Sequence, residues 1–97
     1  MPEPLSLTGK RITARSDVLI RELHGESVLL DLRTESYFGL DEVGTRMWEA
    51  LTAQPDFEAA CSELLGAYDV EPRRLREDLV QFVEELAQAG LVDVRDD

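Results

Sequence analysis

The chain has 97 residues and a formal net charge of −11, from ten Lys and Arg against 21 Asp and Glu. At 43% hydrophobic and 32% charged it reads as one folded domain with a modest core, and its acidity weighs against duplex nucleic acid as a partner. One cysteine and one histidine exclude an internal disulfide and leave too few thiol and imidazole ligands for a structural zinc site. No stretch approaches about 18 apolar residues, so no membrane span is predicted. The N-terminus lacks a signal-peptide layout, which with the cysteine count predicts a reducing, cytoplasmic setting.

Met1 to Gly9 contains two prolines and no periodicity, and reads as a loose tail; residues 1–10 and 95–97 are expected to lie outside the packed domain. Ile12 to Arg15 reads as a short extended piece and Val18 to Leu23 as a strand, followed by a turn at His24-Gly25-Glu26. Ser27 to Arg33 is a clearer strand. Val28, Leu30 and Leu32 share one face, the expected core side, and Ser27, Asp31 and Arg33 share the other. Leu29 breaks that alternation and predicts partial cover on the second face. A hairpin-length connection leads to a third strand, Ser36 to Leu40.

Helical periodicity then takes over. Asp41 suits an N-cap, with Val43, Met47, Trp48 and Leu51 as the apolar stripe behind it. Gln54-Pro55-Asp56 ends that helix, and Asp56 caps a second whose stripe is Phe57, Ala60, Cys61, Leu64, Leu65 and Tyr68. Pro72 sits at the first position of a third helix, with Leu75, Leu79, Phe82, Val83 and Leu86 as its stripe and Gly90 at its C′ position. Leu91 to Val94 is compatible with one more short strand. The charge divides with the structure: residues 1–40 hold five basic and six acidic side chains, residues 41–97 five and fifteen. Strands first and helices later predict an α+β domain, winged-helix-like, with a three-stranded antiparallel sheet followed by three helices. Tyr37-Phe38-Gly39-Leu40 has neither charge nor proline. As an edge strand it is either covered or meant to receive a partner strand.

Several residues resemble a known family. Val28-Leu29-Leu30-Asp31-Leu32-Arg33, Tyr37-Phe38-Gly39-Leu40-Asp41-Glu42-Val43-Gly44 and Met47-Trp48 resemble the PqqD-like family, small leader-peptide recognition elements of ribosomally made, modified peptides. Leu64-Leu65, Tyr68-Asp69-Val70-Glu71-Pro72 and Gly90-Leu91-Val92 continue the likeness, which spans about residues 17–93. Two positions depart from it: Glu35 stands where glycine is frequent, and Asp41 where asparagine is common. The resemblance implies a protein without catalytic activity or cofactor. It would bind a precursor leader as an added strand and present it to a maturation enzyme. The Leu-Asp-Leu-Arg and Tyr-Phe-Gly-Leu segments look closer to the lasso-peptide type, which serves a leader peptidase, than to the quinone type, which serves a radical SAM enzyme. The matching strand positions are Ser36, Tyr37, Phe38, Gly39 and Leu40, with a groove wall from residues 73–87.

On a helical wheel Leu79, Phe82 and Leu86 fall within about 40° of Leu75, forming a core seam. Arg74, Asp78, Gln81 and Glu85 make one flank; Arg76, Val80, Val83 and Ala87 make the other. The second flank is the more apolar and is the expected groove lining, with Leu79 at its floor and Arg76 at its mouth; Leu75 is counted with them among the peptide-binding residues. Val80 packed on the second helix is an equally good reading. Arg73, Arg74 and Arg76 form a basic cluster with three readings: surface charges offset by Glu71, Glu77 and Asp78, an anchor for a peptide carboxylate, or a DNA-contacting patch. Trp48 and Cys61 are expected in the core and His24 in solvent. No side chains are spaced as a catalytic dyad or triad. The rival functions are a winged-helix DNA-binding regulator and an adaptor that grips a partner helix.

Overall fold

The computed structural model describes residues 7–96. Five strands and three helices follow in chain order. They are β1 (Lys10–Ala14), β2 (Val18–Leu23), β3 (Glu26–Asp31), β4 (Ser36–Leu40), α1 (Glu42–Ala53), α2 (Phe57–Ala67), α3 (Pro72–Gln88) and β5 (Val92–Asp96). β2, β3 and β4 form an antiparallel sheet in that order, the three-stranded sheet of the expected α+β architecture. β1 and β5 form a separate antiparallel pair, with Ile12 opposite Val94 and Lys10 opposite Asp96.

That pair corrects the expected tails. Lys10, Arg95 and Asp96 are strand residues, and Leu7 is 1% exposed in the core. Residues 1–6 and 97 lie outside the described residues. An apolar side chain among prolines carries no periodic signal, which is why Leu7 is invisible to pattern reading.

Local chemistry sets the connections. The β2–β3 hairpin turns through His24 and Gly25, with φ of 56° and 84°. Two successive positive φ values match the right-handed twist of the flanking strands. The β3–β4 turn is closed by the Asp31 carboxylate, which accepts from the Arg33 backbone N–H at 3.0 Å. Glu35 ends this turn at a φ of 59°, so the expected glycine position is a left-handed one that this chain fills with a branched-at-Cβ-free but strained residue. The Asp41 and Asp56 carboxylates accept from Gly44 N–H at 2.7 Å and Ala59 N–H at 2.8 Å, capping α1 and α2. α3 starts on Pro72 and ends at Gly90, φ 77°, with Leu91 N–H returning to the Leu86 carbonyl at 3.0 Å.

The core lies between the sheet and the helices. Leu29, Leu51, Phe57, Leu79, Val83 and Leu86 are fully buried, with Trp48 and Cys61 beside them. The inward face of β3 is Ser27, Leu29 and Asp31, opposite to the expected one. Two polar residues make that face look like a solvent face. Each is satisfied where it sits: Ser27 Oγ shares a 2.7 Å hydrogen bond with buried Thr45 Oγ1 of α1, and Asp31 holds its turn. The outward face carries Val28 and Leu30, aligned with Leu19 of β2 and Tyr37 of β4.

A candidate peptide groove beside strand β4

β4 has β3 on one side and no strand on the other among the described residues. Its backbone N–H and C=O groups on that side are open to a partner. Phe38 and Leu40 point to the helical side, half-buried and buried. Tyr37 and Gly39 point the other way, and Tyr37 is 77% exposed.

Along this edge runs a groove of about 370 Å³. Phe38, Gly39 and Leu40 form one wall, and Val43, Gly44 and Met47 of α1 form the end. Asp78, Gln81, Phe82 and Glu85 of α3 form the opposite wall. Val43 is 48% exposed, although its place in the α1 stripe points to the core; here it faces the groove. A smaller pocket of about 150 Å³ adjoins at the N-terminal half of α3, sharing Val43, Met47 and Asp78 and extending to Leu64, Tyr68 and Leu75.

The α3 flank that faces β4 is therefore the polar one, not the apolar one expected from the wheel. Val83 is fully buried, Val80 packs against the core, and Leu79 is buried within it at 0% exposure. Arg76 is committed elsewhere. Its guanidinium grips Glu58 of α2 through both oxygens at 2.8 and 2.6 Å, donates to Thr8 Oγ1 at 2.9 Å, and lies 5.2 Å from the Phe57 ring centre. Those hydrogen bonds outweigh desolvation and hold the Glu58 carboxyl below its ordinary range. Periodicity locates the seam of a helix, but the side on which a neighbour packs depends on tertiary handedness. Of the sequence-selected residues, Phe38, Gly39 and Leu40 line the groove, Leu75 lines the adjoining pocket, and Ser36 and Tyr37 continue the open edge. Asp78, Gln81, Phe82 and Glu85 were missed as a wall; their shared face at i, i+3, i+4 and i+7 is the signal that marks them.

The arginine cluster also disperses. Arg73 pairs with Glu77 within α3 and Arg76 with Glu58, leaving Arg74 beside the adjoining pocket. Cys61 is buried, and burial pushes its thiol pKa up. No cluster of metal-ligating side chains occurs among the described residues, and none of their helices is long and apolar enough to cross a membrane.

The family model for coenzyme PQQ synthesis protein D, PqqD, matches residues 26–92. The chain belongs to the PqqD family. A solved structure of TbiB1 in complex with the TbiA(beta) leader peptide is 32% identical, with a TM-score of 0.78, covering 84% of this chain and 94% of that one. A lasso peptide synthetase B1 complexed with the leader peptide has a TM-score of 0.77 at 20% identity, covering 86% and 98%, and supports the fold alone. No curated protein matches. For this PqqD-family chain, the β4 groove lies wholly within the matched residues.

Proposed function

We propose that this protein binds the leader segment of a ribosomally made precursor peptide as an extra strand on β4 and presents it to a maturation enzyme. One observation carries the reading. An uncharged, proline-free strand edge lies open along an apolar-floored groove, in a chain that is similar to a protein solved with a leader peptide. Strand addition supplies sequence-blind backbone hydrogen bonds, and groove side chains supply the selection. The similarity to TbiB1, solved with a leader peptide, supports leader binding, and we take a lasso-peptide leader peptidase rather than a radical SAM enzyme as the recipient on the likeness of the Leu-Asp-Leu-Arg and Tyr-Phe-Gly-Leu segments to the lasso type. The protein acts as a carrier in this reading, with Ser36 to Leu40 and the α3 wall as its contact surface. A DNA-binding role fits less well, because the exposed side of α3 presents Asp78 and Glu85 to any phosphate backbone.

An amide-resolved NMR titration with the precursor leader tests this. Shifts concentrated at residues 36–40 and 78–85 are expected. Shifts confined to α1 and α2 would instead indicate an adaptor, and retention on a heparin column at moderate salt would revive nucleic-acid binding.

A further inference from the structure

The groove is apolar at its floor and acidic at its rim. Asp41, Asp78 and Glu85 are the charged residues that line it, and no Lys or Arg does. None of the three forms an ion pair with a described residue. Asp41 spends one oxygen on its helix cap, and Glu85 has only a 3.4 Å contact from Gln81 Nε2. Four carboxylates away from the groove are paired, Glu58 by Arg76, Glu77 by Arg73, Asp93 by Arg15 and Asp96 by Lys10, while others such as Glu49 and Glu63 are not, so what sets the groove apart is three acidic side chains along one lining with no cation among them. Uncompensated negative charge is thus placed along a groove that borders the open edge of β4.

The spacing relates this charge to a strand. Asp78 and Glu85 are seven residues apart on α3, about 10.5 Å along its axis. A strand laid on β4 advances about 3.3 Å per residue, and its groove-facing side chains recur at about twice that. With the added strand running along α3, a central groove-facing residue would meet Phe82 and Phe38, and the groove-facing residues on either side of it would approach the two carboxylates. Arg74 lies in the adjoining pocket at the Asp78 end and offsets part of the charge there, so the Glu85 end is the more strongly negative.

We propose that the groove selects a leader segment in which an apolar side chain is accompanied, two residues away on the same strand face, by Lys or Arg. This rests on strand addition at β4 and adds the charge class of the ligand. The probe is a displayed library of random peptides, panned on the full chain and on a variant carrying Asp78→Lys and Glu85→Lys. The wild type is expected to enrich Lys or Arg beside an apolar residue, and the variant to lose that preference or turn to Asp and Glu. In a synthesised winner, replacing the basic residue with Glu is expected to weaken binding about fivefold. A second variant, Glu49→Lys with Glu63→Lys, reverses charge away from the groove and is expected to leave the selection unchanged. If it abolishes the preference equally, the attraction is the general acidity of the protein and the proposal is overturned. Winners of neutral or acidic composition that still shift residues 36–40 overturn the charge preference and leave strand addition standing. No winners, or winners that do not touch residues 36–40, overturn both.

Discussion

Replacing Tyr37 with Ala separates binding from folding more cleanly than any other change at the edge. The ring is 77% exposed, and its main internal neighbour is Leu30, directly across on β3. Losing that cross-strand pair costs about 0.2–1 kcal/mol, which for a domain of this size lowers the thermal midpoint by no more than about 4–8 °C. A strand added to β4 sits about 4.8 Å away and covers one side of the ring. If it buries about 50 Å² of the ring, the contact contributes about 1.2 kcal/mol, and a cross-strand pair with the incoming side chain adds about 0.2–1 kcal/mol. Together these weaken leader binding about ten- to fortyfold when the ring is removed. Titration calorimetry or fluorescence anisotropy with the leader reads the affinity, and calorimetric melting reads the fold. Tyr37→Phe keeps the ring and is expected to stay close to wild type in both. A dissociation constant unchanged within about twofold in Tyr37→Ala would refute the placement of the leader beside this ring.

Two further changes probe what supports the groove. Glu35→Gly relieves the left-handed backbone at a φ of 59° and is expected to stabilise the fold by about 0.5–1 kcal/mol; a lower melting temperature would refute strain at that turn. The Glu58 carboxyl titrates below its ordinary value of 4.5 because Arg76 hydrogen-bonds its charged form, so its stabilisation is present above that pH and is lost as the pH falls through the depressed value. Acid melting of the wild type is therefore expected to fall off more steeply below about pH 4.5 than that of Glu58→Gln, and parallel profiles would refute the contribution of this pair.

Much of the fold is legible in the sequence because its signals are local. The β2 and β4 boundaries follow from alternation and turn residues, and the helix starts follow from Asp41, Asp56 and Pro72, each of which satisfies or removes an orphan N–H where it stands. The open edge at Ser36 to Leu40 is legible for the same reason, since the absence of charge and proline is visible in the residues themselves. What pattern reading misses is set by partners distant in sequence. Ser27 and Asp31 look like solvent residues until Thr45 and the Arg33 backbone are beside them. Arg76 looks free until Glu58 and Thr8 converge on it, and the groove wall appears on the wrong side of α3 until α2 occupies the other. β1 needs β5, and the two ends of that pair are 86 residues apart.

The β1–β5 pair has a consequence for how such a domain can be carried by other proteins. Lys10 and Asp96 face each other across it, so the two outer ends of the pair lie about 5 Å apart. Another polypeptide joined on the outer side of that pair adds little spacing. The β4 groove lies on different strands and keeps its own edge. A fusion made on the outer side of the pair therefore leaves the proposed contact surface of β4 untouched.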